Sequence, residues 1–173
     1  IYLMIKAVLP LAIVAASTGA AHAECGSAED VCTVALGEYQ IALPDDDIKG
    51  SIVFLHGFGS NSNGTLRRTW VKTALERGYA VIAPNGLRRE TGNNARAWSF
   101  HPSLASQRDE VAFLTSVRDD AAARFDFDAD IMALGGFSIG GSMTSYFACA
   151  APEKFHTYLP VAGGFWRPHP TEC

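Results

Sequence analysis

The chain of 173 residues has little of what would place it in several large functional classes. It carries 14 basic against 18 acidic residues and no basic stripe, a balance that argues against nucleic acid as a partner. It has no heptad array and no internal repeat, which removes coiled coils and solenoids. Only four cysteines are present, and no C-x-x-C or H-x-x-x-H spacing occurs, so no metal site is expected. The apolar run Ala7 to Ala16 is too short to span a bilayer comfortably. Charged residues are only 18% against 48% hydrophobic, which sets the chain apart from disordered sequences. The length suits one domain with a core of its own.

What is present starts with an export signal. Met4-Ile5-Lys6 is a short positive region, Ala7 to Ala16 is apolar, and Ala21-His22-Ala23 has the small-x-small form of a cleavage site. Residues 1–23 are predicted to be a signal peptide with its start at Met4, and residues 24–173 the exported domain. The expected location is extracellular or periplasmic, with no membrane association after cleavage. Glu24 before Cys25 argues against a lipoprotein. In an oxidising compartment an even number of cysteines suggests disulfides. Cys25 and Cys32 are near neighbours and are expected to pair. Cys149 and Cys173 are left to pair, the alternative for Cys149 being a free buried thiol.

Ser51 to Leu55, Tyr79 to Ala83, Ile131 to Leu134 and Tyr158 to Ala162 are short continuous apolar runs, the pattern of strands buried on both faces of a parallel sheet. Tyr39, Ile41 and Leu43 alternate with polar or small residues and predict a half-exposed edge strand. Helical stripes lie between. Leu66, Trp70 and Ala74 share a face, with Gly78 as a stop. Val111, Leu114, Val117, Ala121 and Phe125 form a second stripe, opened by the capping-box pattern Ser106-Gln107-Arg108-Asp109. Ile139, Met143, Tyr146, Phe147 and Ala150 form a third, ended by Pro152. Strand and helix thus alternate, which predicts an α/β fold with a doubly wound, mostly parallel sheet. Residues 84–102, rich in Gly, Asn and Arg, predict a long loop that belongs to a site. Arg88, Arg89 and Arg96 within it are expected to be a solvated face.

Between the third apolar run and the third helix stands Gly136-Phe137-Ser138-Ile139-Gly140, a G-x-S-x-G pattern. In a strand-to-helix context this is a nucleophile elbow. A serine hydroxyl is a weak nucleophile at neutral pH and has to be presented in the open beside a base. The helix that starts behind Ser138 turns its positive end towards an oxygen that becomes negative in the reaction. The second element is His56-Gly57-Phe58-Gly59-Ser60-Asn61, directly after the first apolar run and on the same sheet edge. An acyl-transfer oxyanion hole needs two donors. The amides of Ile139 and Phe58 are the candidates. The His56 side chain is expected to brace the loop rather than act as the base, because the triad order runs serine, acid, histidine. Trp98, Phe100, His101, Phe165 and Trp166 are candidates for an acyl pocket, with Trp98 and Trp166 the leading substrate-binding residues; ordinary packing under loops is the competing reading.

His56-Gly57-Phe58, Ala83-Pro84-Asn85-Gly86, Asp109-Glu110-Val111-Ala112-Phe113-Leu114 and Gly136-Phe137-Ser138-Ile139-Gly140-Gly141-Ser142-Met143 together resemble secreted α/β-hydrolase esterases of the polyhydroxybutyrate depolymerase-like and feruloyl esterase-like group, over roughly residues 36 to 168. The resemblance implies hydrolysis of carboxylic esters, polyhydroxyalkanoate or hydroxycinnamoyl, through an acyl-serine on Ser138, with no metal or organic cofactor. Such enzymes place the acid and the histidine after two further strands. Beyond Ser138 this chain has only Glu153, His156, His169 and Glu172. Glu153 and His156 are directed away from the strand ends, and His169 lies in a loop near the site mouth. The expectation is therefore an α/β-hydrolase domain incomplete at its C-terminal side, with little turnover alone. A peptidase or thioesterase on the same fold, and a non-catalytic secreted binding module, are the alternatives.

Overall fold

The computed structural model describes residues 25–90, 93–104 and 107–173. The expected signal peptide and Ser106 of the expected capping box lie outside them. Six strands form one sheet: β1 (Cys32–Val34), β2 (Gly37–Ala42), β3 (Gly50–Leu55), β4 (Tyr79–Pro84), β7 (Ala133–Phe137) and β8 (Thr157–Val161), with β5 (Leu87–Arg88) and β6 (Arg96–Ala97) as a separate ribbon. The order across the sheet is β1-β2-β4-β3-β7-β8. Strands β4, β3, β7 and β8 run parallel, and β1 and β2 are antiparallel additions at one side. Four helices accompany the sheet: α1 (Ser62–Leu66), α2 (Thr69–Glu76), α3 (Glu110–Phe125) and α4 (Ile139–Ala150). This is the α/β-hydrolase type of architecture anticipated from the sequence.

The two-residue period of a strand sorts its side chains between two cores. Tyr39, Ile41, Val53, Leu55 and Leu134 point to the face covered by α3 and α4. Their neighbours Ala42, Phe54 and Val81 point to the opposite face and meet Val71, Leu66, Trp70 and Ala74 of α1 and α2. The expected single helix over Leu66 to Ala74 is thus two short helices, although the apolar face is shared as expected. Gly78, with φ +85°, ends the second.

Three further expectations are revised. Strand β2 is interior and not half-exposed: β1 pairs along its outer side and α3 covers it, so Tyr39 to Ala42 are all buried. The Tyr39 hydroxyl donates to Asp120 at 2.7 Å, and Arg124 holds the same carboxylate, which fastens β2 to α3. Strand β7 begins at Ala133, because Asp128 accepts from the Asp130 amide and winds Ala129–Ile131 into a 3₁₀ turn. Helix α3 is capped by Asp109, whose carboxylate accepts from the Ala112 amide. Glu110, in the first turn, is buried and ion-paired to Arg108 at 2.7 Å. Both expected disulfides are present, Cys25–Cys32 and Cys149–Cys173.

Parallel sheets are normally covered on both faces. Here α1 and α2 cover only the β2–β4–β3 half of theirs. Over β7 and β8, Phe137, Leu159 and Val161 remain 51%, 43% and 46% exposed. With Phe54 and Trp70, the aromatic pair at 4.7 Å, Phe137 and Val161 line an open cavity of about 410 Å³. The backbone edge itself is blunted. The Val161 carbonyl accepts from Ser138 within the sheet, so Pro160, one residue back, turns its missing N–H to the open side. The liability of this chain is therefore its bare apolar face. Residues 25–173 alone are expected to self-associate with concentration in sedimentation velocity, and Leu159→Lys with Val161→Lys is expected to suppress it; a wild-type chain that sediments as one monomer at every concentration would overturn this.

Candidate active site

Strand β7 ends at Phe137 and α4 starts at Ile139, leaving Ser138 alone at the junction with φ 56° and ψ −121°. A non-glycine residue in this region carries local strain, of order 1–3 kcal/mol. Two contacts hold it there. The Ser138 amide donates to the Val161 carbonyl at 2.9 Å, and the Ser138 carbonyl accepts from the Ser142 amide at 2.9 Å. The turn also requires a very close approach. A Cβ on Gly136 would stand 2.4 Å from the Gly140 carbonyl, and one on Gly140 would stand 2.3 Å from the carbonyl oxygen of Leu55 at the end of β3. Glycine at both positions lets α4 rest directly on the carboxyl end of β3.

That contact brings the second element alongside. The loop that follows β3 carries Gly57 past Ser138: the position of a Gly57 Cβ lies 3.6 Å from the Ser138 Cβ. Ser60 donates its amide to the Gly57 carbonyl, Gly59 donates to Arg96, and Asn61 caps α1 through the Gly64 amide. Among the described residues, no acceptor is assigned to the amide of Phe58 or to that of Ile139. The Phe58 amide follows Gly57, which lies against Ser138, and the Ile139 amide follows Ser138 in the chain. The Phe58 ring is half exposed, with the Arg89 guanidinium 5.7 Å above it.

His56 is fully occupied elsewhere. A carbonyl oxygen can only accept, so the 2.8 Å contact from Nδ1 to the Gly57 carbonyl puts a proton on Nδ1. The Gly86 amide donates to Nε2 at 3.0 Å, so Nε2 carries none. The imidazole is 2% exposed and packs at a tilt against Trp98, with ring centroids 4.9 Å apart. Burial lowers its pKa to about 4, with Arg96 and Arg108 pushing the same way and the Gly57 carbonyl opposing them. This is a neutral structural brace.

The aromatic candidates separate. Trp98 is 1% exposed and donates its indole N–H to the His56 carbonyl at 2.8 Å. It lies beneath the loop and has no surface to offer a substrate, so the expected substrate-binding role does not fit it. Trp166 is 37% exposed. It packs edge-on against Phe100, lies 6.0 Å from the His101 ring, and exchanges backbone hydrogen bonds with the Tyr146 hydroxyl. Phe165 packs on Tyr146 from the tail that Cys149–Cys173 anchors to α4. Tyr146 lies two turns down α4 from Ser138, about 12 Å along the axis at 1.5 Å per residue. The late histidines and acids do not reach Ser138. Glu153 lies in the turn Pro152–Lys154, and His156 hydrogen-bonds Met132 at the amino end of the sheet, opposite the elbow. His169 is exposed in the tail. No hydrogen bond joins Ser138 to a histidine or carboxylate among the described residues, and no cluster of metal-ligating side chains occurs among them.

A polar network that sequence reasoning missed supports the loop. Glu38 accepts from both Arg96 and Asn85 at 2.9 Å, and Arg96 donates to the Gly86 carbonyl at 2.8 Å. Arg96 is therefore a half-buried strut and not part of a solvated face. Asn85 accepts the Ser62 amide at the start of α1. Burial raises the Glu110 pKa and lowers that of Arg108, each opposed by the other. The Ser99 amide and two Arg108 nitrogens donate to the Glu110 carboxylate. Only the Asn-Gly pair after β4 hinted at this from sequence.

The buried His56 has a consequence for acid stability. Its folded pKa lies below the ordinary value of 6.5, so the unfolded chain binds the extra proton first. Stability is unaffected by His56 above about pH 6.5 and falls as pH drops towards 4, by up to roughly 3 kcal/mol for a shift of this size. Urea denaturation at pH 7 and pH 4.5 is expected to show this loss, and His56→Gln, though less stable at pH 7, is expected to lose less on acidification. Equal losses in the two proteins would remove His56 as the cause.

The profile of the phospholipase/carboxylesterase family, one of the α/β-hydrolase families, matches residues 36–171. Among curated relatives, the probable feruloyl esterase C of Aspergillus niger is 25% identical over 94% of this chain and 61% of its own length. That of Aspergillus clavatus is 28% identical over 73% of this chain and 46% of its own length. The chain thus spans about half the length of the curated relatives it matches. Similar solved structures include an S-formylglutathione hydrolase from Staphylococcus aureus, with TM-score 0.56 and 23% identity over 75% of this chain and 52% of that one. The acetyl xylan esterase from Aspergillus awamori superposes with TM-score 0.54 and 17% identity over 68% of this chain and 43% of that one. At these identities the structures speak for the fold, and with the profile match they establish that this chain belongs to the phospholipase/carboxylesterase family of α/β-hydrolases.

Proposed function

We propose that this is a serine esterase. Ser138 is the nucleophile, the amides of Phe58 and Ile139 are the oxyanion hole, and the substrates are carboxylic esters of polyhydroxyalkanoate or hydroxycinnamoyl type. The observation that carries the proposal is the strained Ser138 at the β7–α4 junction, beside a loop whose Phe58 amide meets no acceptor among the described residues. Ser138 Oγ attacks the ester carbonyl carbon, its proton passing to the base that the longer product is proposed to supply; the C=O electron pair moves onto the oxygen facing the two amides, then returns to break the C–O bond, and the alcohol leaves with the proton the base took. Water then attacks the acyl-serine, releasing the acid and restoring the hydroxyl. The names of the two curated relatives support a hydroxycinnamoyl ester. Trp166, exposed on the aromatic cluster of α4, is proposed to contact the substrate. Export by a cleaved signal over residues 1–23 belongs to the same proposal and agrees with the two disulfides.

The chain is proposed to be an incomplete form of this enzyme. No histidine is placed on Ser138 among the described residues, an observation that also favours the non-catalytic binding module as the second reading. A fluorophosphonate probe and a panel of p-nitrophenyl, methyl ferulate and short polyhydroxybutyrate esters separate these. Residues 25–173 are expected to give slow turnover that Ser138→Ala abolishes. A longer gene product that supplies an acid and a histidine is expected to raise kcat by about 10⁴-fold or more, the usual cost of a missing triad member. Fast turnover by the short chain would overturn the incompleteness, and absence of Ser138 labelling in both forms would overturn the esterase. In the longer product, Trp166→Ala is expected to raise KM for the ferulate ester several-fold with kcat little changed, whereas an unchanged KM would remove Trp166 from the substrate site.

A further inference from the structure

The Gly57–Phe58 peptide has two ends with different partners. Its carbonyl accepts from His56 Nδ1, and its N–H is the Phe58 amide. In a trans peptide the C=O and the N–H point in opposite directions. Holding the carbonyl against the imidazole therefore directs the Phe58 N–H away from it. The Ser60 amide donates to the same carbonyl at 3.1 Å, and the direction of the Phe58 amide depends further on which nitrogen of His56 carries the proton, since an unprotonated Nδ1 would face the carbonyl with a lone pair. The choice is made outside the loop. Gly86 N–H points at Nε2 at 3.0 Å, and a proton there would meet it head-on.

The geometry points to the Pro84-Asn85-Gly86 turn as the positioning element of the candidate oxyanion hole: Gly86 N–H occupies His56 Nε2, this places the ring proton on Nδ1, and Nδ1–H orients the Gly57–Phe58 peptide. The turn is built for the task. The Asn85 amide donates to the Glu38 carbonyl at 2.9 Å, and the Asn85 side chain ties β2 to the first turn of α1. The Gly86 carbonyl is gripped by Arg96, and the Asn85 carbonyl accepts from Arg108, which is itself held by Glu110. The charged groups facing His56 are thus Arg96 with its partner Glu38 and Arg108 with its partner Glu110. Gly86 has no room for a side chain: a Cβ would lie 2.5 Å from the Ala97 carbonyl oxygen and 3.2 Å from His56 Cε1. Gly86 and Asn85 touch no reacting atom in this scheme and act only through His56.

The inference rests on the assignment of the Phe58 amide as an oxyanion donor, but its first test does not. In ¹⁵N-labelled residues 25–173, carrying Leu159→Lys and Val161→Lys if needed for solubility, long-range ¹H–¹⁵N spectra at pH 7 report the His56 tautomer. The expected result is a protonated Nδ1 and a bare Nε2, with the Gly86 amide protected from exchange. Gly86→Ala is expected to shift the ring towards a mixture of tautomers and to move the Phe58 amide resonance. A wild-type His56 protonated on Nε2, or a Phe58 amide unmoved by the change of tautomer, would overturn the proposal. Should Gly86→Ala fail to fold, titration of the wild type supplies the same test: the Gly86 and Phe58 amides are expected to shift together with His56 protonation, and a Phe58 amide that ignores it overturns the coupling. The second readout is the rate of fluorophosphonate labelling at Ser138, expected to fall 10-fold or more in Gly86→Ala with the Ser138 backbone resonances unchanged. If neither residues 25–173 nor the longer gene product is labelled while the tautomer and amide shifts are as expected, the positioning stands and the esterase reading fails.

Discussion

The arrangement around Ser138 depends on one close approach, that of the first turn of α4 to the carboxyl end of β3. Gly136 and Gly140 allow it, since a side chain on either would enter backbone atoms at less than 2.5 Å. Because the helix sits this close, Ser138 is forced into its strained conformation and the loop after β3 passes within van der Waals reach of it. The strain is tolerated because backbone bonds to Val161 and Ser142 fix the residue from both sides. A looser junction would relax Ser138 and carry the Phe58 amide away from the serine it is proposed to serve.

Around that junction the polar groups are spent on orientation. His56 uses both ring nitrogens and its carbonyl to hold a loop, and Trp98 uses its indole N–H for the same purpose. Buried charges follow the same logic. Arg108 and Glu110 give up solvation to each other, and the spare donors of Arg108 reach the Asn85 carbonyl. Such pairs contribute little net stability, yet removing one partner strands the other, so they hold geometry more than they lower energy. The base that would move a proton from Ser138 is not among these groups.

The same sheet that assembles the junction leaves part of itself uncovered. Both helical layers are present on the β2–β4–β3 side, whereas β7 and β8 are covered by α4 on one face only. The cavity between Trp70 and Val161 is the visible result. Since the chain spans about half of its curated relatives, the bare face and a Ser138 with no histidine hydrogen-bonded to it among the described residues have a common reading in the proposed incomplete form.

The apolar runs and the G-x-S-x-G pattern were enough to determine from sequence the parallel sheet, the helices on both faces and the elbow, because strand burial and helical spacing are local periodicities. The cysteine pairs were legible for another reason: the expected export makes pairing favourable, and few pairings were open. The interior position of β2 was not legible, because its cover comes from β1 and from α3, more than sixty residues further on. Nor was the difference between Trp98 and Trp166, two large aromatics in Gly- and Pro-rich stretches, of which only the packing of the His56 loop buries one. The state of His56 was decided by tertiary structure alone. Its sequence neighbours supply the acceptor at Nδ1, but the donor at Nε2 comes from Gly86, thirty residues away, and a histidine's tautomer follows its partners in space.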